Sequence, residues 1–275
     1  MLQRRPLGKT NLTVPILGIG CSTFGDRARK LPYEQCKATV DAAFAVGADY
    51  FDTAPYYGFG LSERRLGDAI RDIRNHQTIL STKVGRLMVP DVSLDTSSPR
   101  NGFHSSMSFR PEFDYSYDGI MRSFEASQHR LGLARIDMLL VHDIGSFAHG
   151  SANGGHLSAL LDGGMRALQE LRSNQLISAV GLGVNEIEIC DDILKHADLD
   201  CILLAGRYTL LEQAGMETLF PTCAARGTAI IVGGPYNSGL LAGGTRRSGE
   251  LRYDYGPAPQ AILERVMKVT SVNVV

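Results

Sequence analysis

The chain carries almost no excess charge: 28 basic and 29 acidic residues leave a formal net charge of -1. Nucleic acid or an anionic membrane surface calls for a strong basic patch, so neither partner is expected. No apolar run approaches the roughly 20 residues that a membrane helix needs. Behind Met1-Leu2-Gln3-Arg4-Arg5 there is no apolar core, so the start does not read as a secretory signal. The five cysteines (Cys21, Cys36, Cys190, Cys201, Cys223) are odd in number and form no C-x-x-C pair, which supports neither a zinc site nor a disulfide framework. A reducing cytoplasm and no metal are therefore expected. A dinucleotide fingerprint is missing too. Gly18-x-Gly20 has no third glycine at the right spacing, and Gly181-x-Gly183 runs on into Val184-Asn185-Glu186.

What is present is an alternation. Apolar strand-like runs at residues 16–20, 50–52, 78–83, 138–142, 179–184, 201–204 and 229–232 are separated by segments with helical spacing. One such segment is residues 32–46, with Cys36, Val40, Ala43 and Phe44 on one stripe. Alternation of this kind implies a parallel sheet with helices outside it. The first crossings would also suit a doubly wound fold, but without its fingerprint the (β/α)8-type TIM barrel is preferred. All 275 residues then form a single domain. Two short apolar stretches around Gly8-Lys9-Thr10-Asn11 read as an N-terminal hairpin. Ser62 reads as the cap of a helix running to about Arg74. Residues 84–116 break the rhythm: they hold three prolines, many serines, and Phe103, Phe109, Phe113 and Tyr115. Long loops are usually functional or disordered, and the aromatics favour a substrate-side wall. Residues 233–257 read as a Gly-rich loop, with a last helix from near Pro257.

The most informative stretch is Phe51-Asp52-Thr53-Ala54-Pro55-Tyr56-Tyr57-Gly58. An acid ends a short strand, and a tyrosine follows in a sharp turn opened by Pro and closed by Gly. Barrel enzymes keep their chemistry at such C-terminal strand edges. Lys83 and His142 end two other strand-like runs. Taken singly, a surface lysine and a strand-end histidine are the bland readings. Jointly, Asp52, Tyr57, Lys83 and His142 resemble the catalytic tetrad of the aldo-keto reductases. Ser62-Glu63-x-x-Leu66-Gly67, Ser81-Thr82-Lys83 and Arg130-Leu131-Gly132-Leu133 carry the resemblance along nearly the whole chain.

The resemblance implies an NAD(P)-dependent oxidoreductase that interconverts an alcohol or sugar hemiacetal with a carbonyl or lactone. Tyr57 would be the general acid or base. Its ordinary pKa of about 10 suits neutral pH poorly, and a neighbouring lysine cation favours the phenolate. Asp52 would fix Lys83, and His142 would orient the substrate oxygen. Cofactor contacts carry over to Gly20, Cys21, Ser22, Asp52 and Asn185, and to the loop residues Tyr236, Asn237, Ser238, Gly239 and Leu240. The stretches Gly181–Glu186 and Gly234–Gly243 are similar to the aldose 1-dehydrogenase branch, with pyridoxal dehydrogenases close by. That implies a sugar, polyol or pyridoxal substrate, with NAD favoured over NADP. A nucleotide-binding regulatory or catalytically impaired homologue is the alternative from another class. Only seven strands are legible, and the resemblance fades after Met267. An eighth βα unit, which would take roughly 30 residues, is therefore expected to be missing, with weak cofactor binding and marginal stability or self-association. Residues 269–275 pairing as a makeshift eighth strand is the other possibility.

Overall fold

The computed structural model describes residues 2–243, 251–254 and 256–271. The chain opens with the expected hairpin, β1 (Arg4–Pro6) antiparallel to β2 (Thr13–Pro15). Then β3 (Ile19–Gly20), α1 (Tyr33–Val46), β4 (Tyr50–Asp52), α2 (Leu61–Ile70) and β5 (Ile79–Val84) follow. Helix α1 buries Cys36, Val40 and Ala43, a stripe at positions i, i+4 and i+7. It stops at Gly47, whose φ of 79° is the left-handed conformation that glycine adopts without strain. Helix α2 starts two residues earlier than expected and stops at Ile70, short of Arg74. Its N-cap is Gly60 without a side-chain cap, while Ser62 lies inside the helix and donates to the Cys21 carbonyl at 2.6 Å. Ser62 therefore ties the β4–α2 turn to the end of β3 instead of capping.

The stretch 84–116 is not one irregular loop. It contains an antiparallel ribbon, β6 (Arg86–Pro90) and β7 (Phe109–Phe113), that rises directly from β5 through Gly85. The chain continues through α3 (Tyr117–Leu131) and β8 (Met138–His142). Helix α3 is capped by Ser116 Oγ accepting from Gly119 N. The following segment is helical: α4 (Ser146–His149), α5 (Asn153–Ala159) and α6 (Met165–Ser173) precede β9 (Ala179–Val184). Then come α7 (Glu188–Leu194), β10 (Cys201–Ala205), α8 (Leu219–Arg226), β11 (Ala229–Gly233), α9 (Leu240–Gly243), a two-residue ladder β12 (Arg252–Tyr253) with β13 (Gly256–Pro257), and α10 (Gln260–Ser271). Residues 269–271 belong to α10, so the makeshift strand is not formed there; residues 272–275 lie outside the described residues.

Seven strands make one parallel sheet in the order β11-β10-β9-β8-β5-β4-β3. Its register decides what faces where. Asp52 pairs with Ser81, Lys83 with Leu140, and His142 with Gly183. Residues two apart on a strand share a face, so Asp52, Ser81, Lys83, Leu140 and His142 all project to one side of the sheet. That side is the barrel interior. It continues downward into a cluster of Tyr50, Ile79, Met138, Leu140, Ala179 and Cys201, closed from below by Leu7, Leu12 and Val14 of the hairpin. The alternate residues Phe51, Leu80, Leu139, Val141, Val180, Leu182, Ile202 and Leu204 face the helices in the larger core. Runs buried on both faces are what a parallel α/β sheet demands. Arg4 anchors the hairpin to the barrel base, pairing with Asp49 at 2.6 Å and donating to the Gln77 carbonyl at 2.8 Å. Among the described residues no pairing joins β3 to β11, so these two strands are the edges of the sheet. Helix α10 packs outside the sheet, burying Val266 against Leu211 and Leu240. No helix among the described residues is long and apolar enough to cross a membrane.

Candidate active site

Asp52 closes β4, Lys83 lies one residue before the end of β5, and His142 closes β8. Because the strands are parallel, all three stand at one end of the barrel, and Tyr57 lies in the turn that leaves β4. Lys83 Nζ donates to Asp52 Oδ2 at 2.6 Å and to the Thr53 carbonyl at 2.9 Å. Ser81 Oγ donates to the other Asp52 oxygen at 2.7 Å, so both carboxylate oxygens are held. Burial pulls the Lys83 ammonium down. The charge and hydrogen bond of Asp52, together with an interaction of both kinds with Tyr57, outweigh it, and Lys83 titrates above the ordinary lysine range. The Lys83 ammonium stands 4.7 Å from the Tyr57 ring centroid. The His142 ring meets Tyr57 edge-on with centroids 5.9 Å apart. Burial, with the Arg86 and Lys83 charges adding to it, holds the His142 imidazole well below the usual histidine range.

The turn carrying Tyr57 is fixed by backbone contact. Gly58 has φ 65°, and a Cβ there would sit 2.4 Å from the Gly25 carbonyl oxygen. A Cβ on Gly25 would in turn fall 2.5 Å from the Tyr57 carbonyl carbon. The two glycines let the segment after β3 press against the tyrosine turn. Below the lysine, Gly183 leaves room for its stem: a Cβ there would meet Lys83 Cε at 3.0 Å. Behind α2, Glu63 is fully buried and accepts from Thr82 Oγ1 at 2.6 Å and Arg130 Nε at 2.5 Å, which locks α2, β5 and α3 together. A Cβ on Gly67 would lie 2.1 Å from the Leu131 carbonyl oxygen, so α2 and α3 touch through it. The sequence pattern Ser62-Glu63-x-x-Leu66-Gly67 thus supports the site from behind.

The residues expected at a cofactor are spread over the same end of the sheet. Gly20 ends β3 and has open space where a side chain would be. Cys21 is fully buried and joined to the site through its backbone, its N–H donating to the Asp52 carbonyl at 2.8 Å. Ser22 opens a short 3-10 turn. Asn185 and Asn237 both hold the top of β10, donating to the carbonyls of Ala205 (3.2 Å) and Gly206 (3.3 Å). Asn237, Ser238 and Gly239 all have positive φ, and Leu240 is buried at the start of α9. Tyr236 is 59% exposed.

Phe103, one of the aromatics expected to wall the substrate, is fully buried against Tyr56, Tyr57 and Phe59. Two neighbours of the tetrad were not singled out from the sequence. Arg86 and Asp143 pair at 2.7 Å beside His142. Their signal was positional: each follows a tetrad residue within three positions.

A parallel α/β barrel that gathers an ion-paired lysine, a tyrosine and an uncharged histidine at its C-terminal strand ends is the architecture of an enzyme. The sequence profile of the Aldo/keto reductase family matches residues 16–265, and the chain belongs to that family of oxidoreductases. It is 44% identical over 278 aligned positions to a pyridoxal 4-dehydrogenase of Microbacterium luteolum, covering 98% of this chain and 80% of that protein. It is 37% identical to a D-threo-aldose 1-dehydrogenase of Pseudomonas sp, covering 95% of this chain and 77% of the relative. The solved holo form of an aldo-keto reductase from Bacillus halodurans superposes with a TM-score of 0.69 at 25% identity, covering 92% of this chain and 74% of the other. The family's cofactor is a nicotinamide nucleotide. The strand ends fit such a group: Gly20 leaves open space, and the buried Asn237 Oδ1 finds no partner among the described residues.

Proposed function

We propose that this chain is an NAD-dependent dehydrogenase that oxidises a cyclic hemiacetal, of an aldose or of pyridoxal, to the lactone. The hydrogen-bonded series Asp52–Lys83–Tyr57, with the His142 ring against the phenol, carries the reading. The two relatives above supply the substrate class, since one is named for an aldose C1 and the other for pyridoxal. An aldose closes to a hemiacetal at C1, and pyridoxal can close one between its aldehyde and its hydroxymethyl group. The two names therefore describe one functional group.

When bound, the nicotinamide supplies the hydride acceptor. The residues of this chain handle the proton and the orientation. The hemiacetal O–H proton passes to Tyr57 Oη as the C–H hydride leaves, and the C–O bond becomes the lactone carbonyl. The Lys83 ammonium favours the phenolate form of Tyr57 that accepts the proton. Asp52, held by Ser81, keeps that ammonium in place. Uncharged His142 donates a hydrogen bond to the reacting oxygen and fixes its distance from Tyr57. Gly20, Cys21, Ser22, Asn185 and the 236–240 loop would hold the cofactor, and the ribbon β6–β7 with Phe103 would wall the substrate.

The test is a panel of aldoses and pyridoxal with NAD and with NADP, followed at the nicotinamide absorbance. Tyr57→Phe is expected to lower turnover about 10²- to 10⁴-fold while cofactor affinity stays unchanged. A Phe variant with near-native turnover would overturn the assignment of Tyr57. Nucleotide binding without hydride transfer from any member of the panel would instead favour the regulatory alternative.

A further inference from the structure

Arg86 is an unusual residue to find where it stands. It opens β6, three positions beyond Lys83, and is 6% exposed. Its guanidinium is sandwiched between two rings, 4.1 Å from the Tyr56 centroid and 4.6 Å from that of Phe113. Among the described residues its one ion pair is to Asp143 Oδ2 at 2.7 Å, and its buried Nε has no hydrogen-bond partner. The approach depends on Gly85, whose φ of 90° turns the chain out of β5 against the Tyr115 ring. A buried guanidinium held flat by two aromatic faces is pre-organised, because little rotamer freedom remains to be lost.

Asp143 is held as firmly. It follows His142 with φ 48°, a conformation uncommon for a residue other than glycine, and its N–H donates to the Gly183 carbonyl at 2.9 Å. The same carboxylate oxygen that accepts from Arg86 lies 3.6 Å from His142 Nε2. That is too far for a hydrogen bond but close enough for a strong charge interaction. Without a cation on that carboxylate, the imidazole is the next group able to neutralise it. The other groups around the ring are Lys83 on β5, already paired with Asp52; Tyr56 and Tyr57 from the turn after β4; and Tyr115, whose hydroxyl donates to the His142 carbonyl at 2.7 Å and contacts His149 Nε2 at 2.9 Å. The strand β9 faces the ring with apolar residues and glycines only.

We propose that Arg86 is a positioning residue that holds the Asp143 carboxylate on its guanidinium, so that His142 remains an uncharged imidazole with Nε2–H available to the substrate oxygen. Burial pushes the Asp143 carboxyl above the usual range, against the pull of Arg86 and Lys83. A carboxylate so poorly solvated is a strong partner for whichever cation is nearest. Loss of Arg86 hands that role to His142. A protonated His142 beside Lys83 would bind an alcohol oxygen as a cation and disturb the transfer of its proton to Tyr57.

The inference rests on the proposed role of His142, but its first readout does not. The titration of His142 is followed by NMR in the native protein and in Arg86→Met, with the signal assigned by its loss in His142→Asn. In the native protein His142 is expected to stay uncharged well below the usual histidine range. In Arg86→Met its midpoint is expected to rise by about one pH unit or more, the usual effect of a carboxylate within 4 to 6 Å. The acid limb of kcat/KM should move with it. Removing the Arg86 charge itself accounts for part of the rise, and adding Asp143→Asn to Arg86→Met is expected to reverse the rest of both changes. A merely structural Arg86 would alter stability and leave the midpoint alone. An unchanged midpoint in Arg86→Met, or a rise that persists in full in the double variant, overturns the proposal. If Arg86→Met fails to fold, Arg86→Gln, which keeps the width of the stack and a hydrogen bond to Asp143, carries the same comparison. Should no substrate be turned over, the proposed reaction fails while the titration still decides the role of Arg86.

Discussion

His149 sits at the end of α4 with Nε2 at 2.9 Å from the Tyr115 hydroxyl and its ring 4.2 Å from that of His156. Burial lowers its pKa from 6.5 to about 4, with the His156 and Arg86 charges acting in the same direction. Between those two values the unfolded chain binds a proton that the folded chain refuses. Stability therefore rises with pH through that window and is lost on acidification from about 6.5 toward about 4. His142, also held below the usual range, adds to the slope in the same sense. Denaturant unfolding at pH 7 and at pH 5 is expected to show lower stability at pH 5. His149→Gln, which cannot take up the proton in either state, should lessen the difference. Equal pH slopes in the two proteins would show that the His149 environment does not set the acid limit. At the other end of the range, Lys83 has a raised pKa. Its contribution is complete below about 10.5 and fades only as the pH rises through the folded value.

At the scale of the element, the decisive object is the turn from β4 into α2. Its shape is dictated from outside, by the carbonyl of Gly25 against Gly58 and by Ser105 Oγ donating to the Gly58 carbonyl at 2.8 Å. Gly58→Ala would force a residue with a side chain into positive φ, which costs roughly 1 kcal/mol or more, and would push the turn off Gly25. Tyr57 is the residue next to that displacement. The expected outcome is a modest loss of stability with a disproportionate loss of kcat, because small misplacements of a reacting group, the role proposed for Tyr57, cost much rate. Turnover that falls no faster than the folded fraction would show that the Gly25–Gly58 contact does not position Tyr57.

For the whole molecule, the barrel interior has two floors with different chemistry. The upper is the polar set Asp52, Ser81, Lys83 and His142. The lower is apolar and is sealed by the hairpin, with Leu7 1% exposed against Tyr50, Ile79 and Met138. A dry floor is what keeps the Asp52–Lys83 pair in a low dielectric, where it is strong. Leu7→Ala should destabilise the fold by about 2–5 kcal/mol through the cavity it leaves. It should leave kcat per folded molecule unchanged, since Leu7 packs within the apolar lower cluster. A fall in kcat without a fall in the unfolding midpoint would mean that the hairpin reaches the chemistry, contrary to this division.

The sequence by itself determined the seven strands, the hairpin, the four candidate site residues and the family, because each rests on local pattern: apolar runs of strand length, glycine and proline at turns, three chemical groups at strand ends and a tyrosine in the turn beyond one of them. Tyr50–Asp52 and Ala179–Val184 were legible to the residue for that reason. The ribbon within 84–116 was not, since its pairing of Arg86 with Phe113 joins residues far apart in sequence, its first strand lacks alternation and its second is interrupted by Pro111. Ser62 looked like a cap by composition, yet its hydroxyl found the Cys21 carbonyl, a partner brought near only when β3 and β4 pair. The register of the sheet placed Asp52, Lys83 and His142 on one face, and a slip of one residue would have sent any of them into the helix layer. Arg86 and Asp143 acquire meaning only in space, because burial, ion pairing and ring contact are properties of neighbours that the chain order does not name.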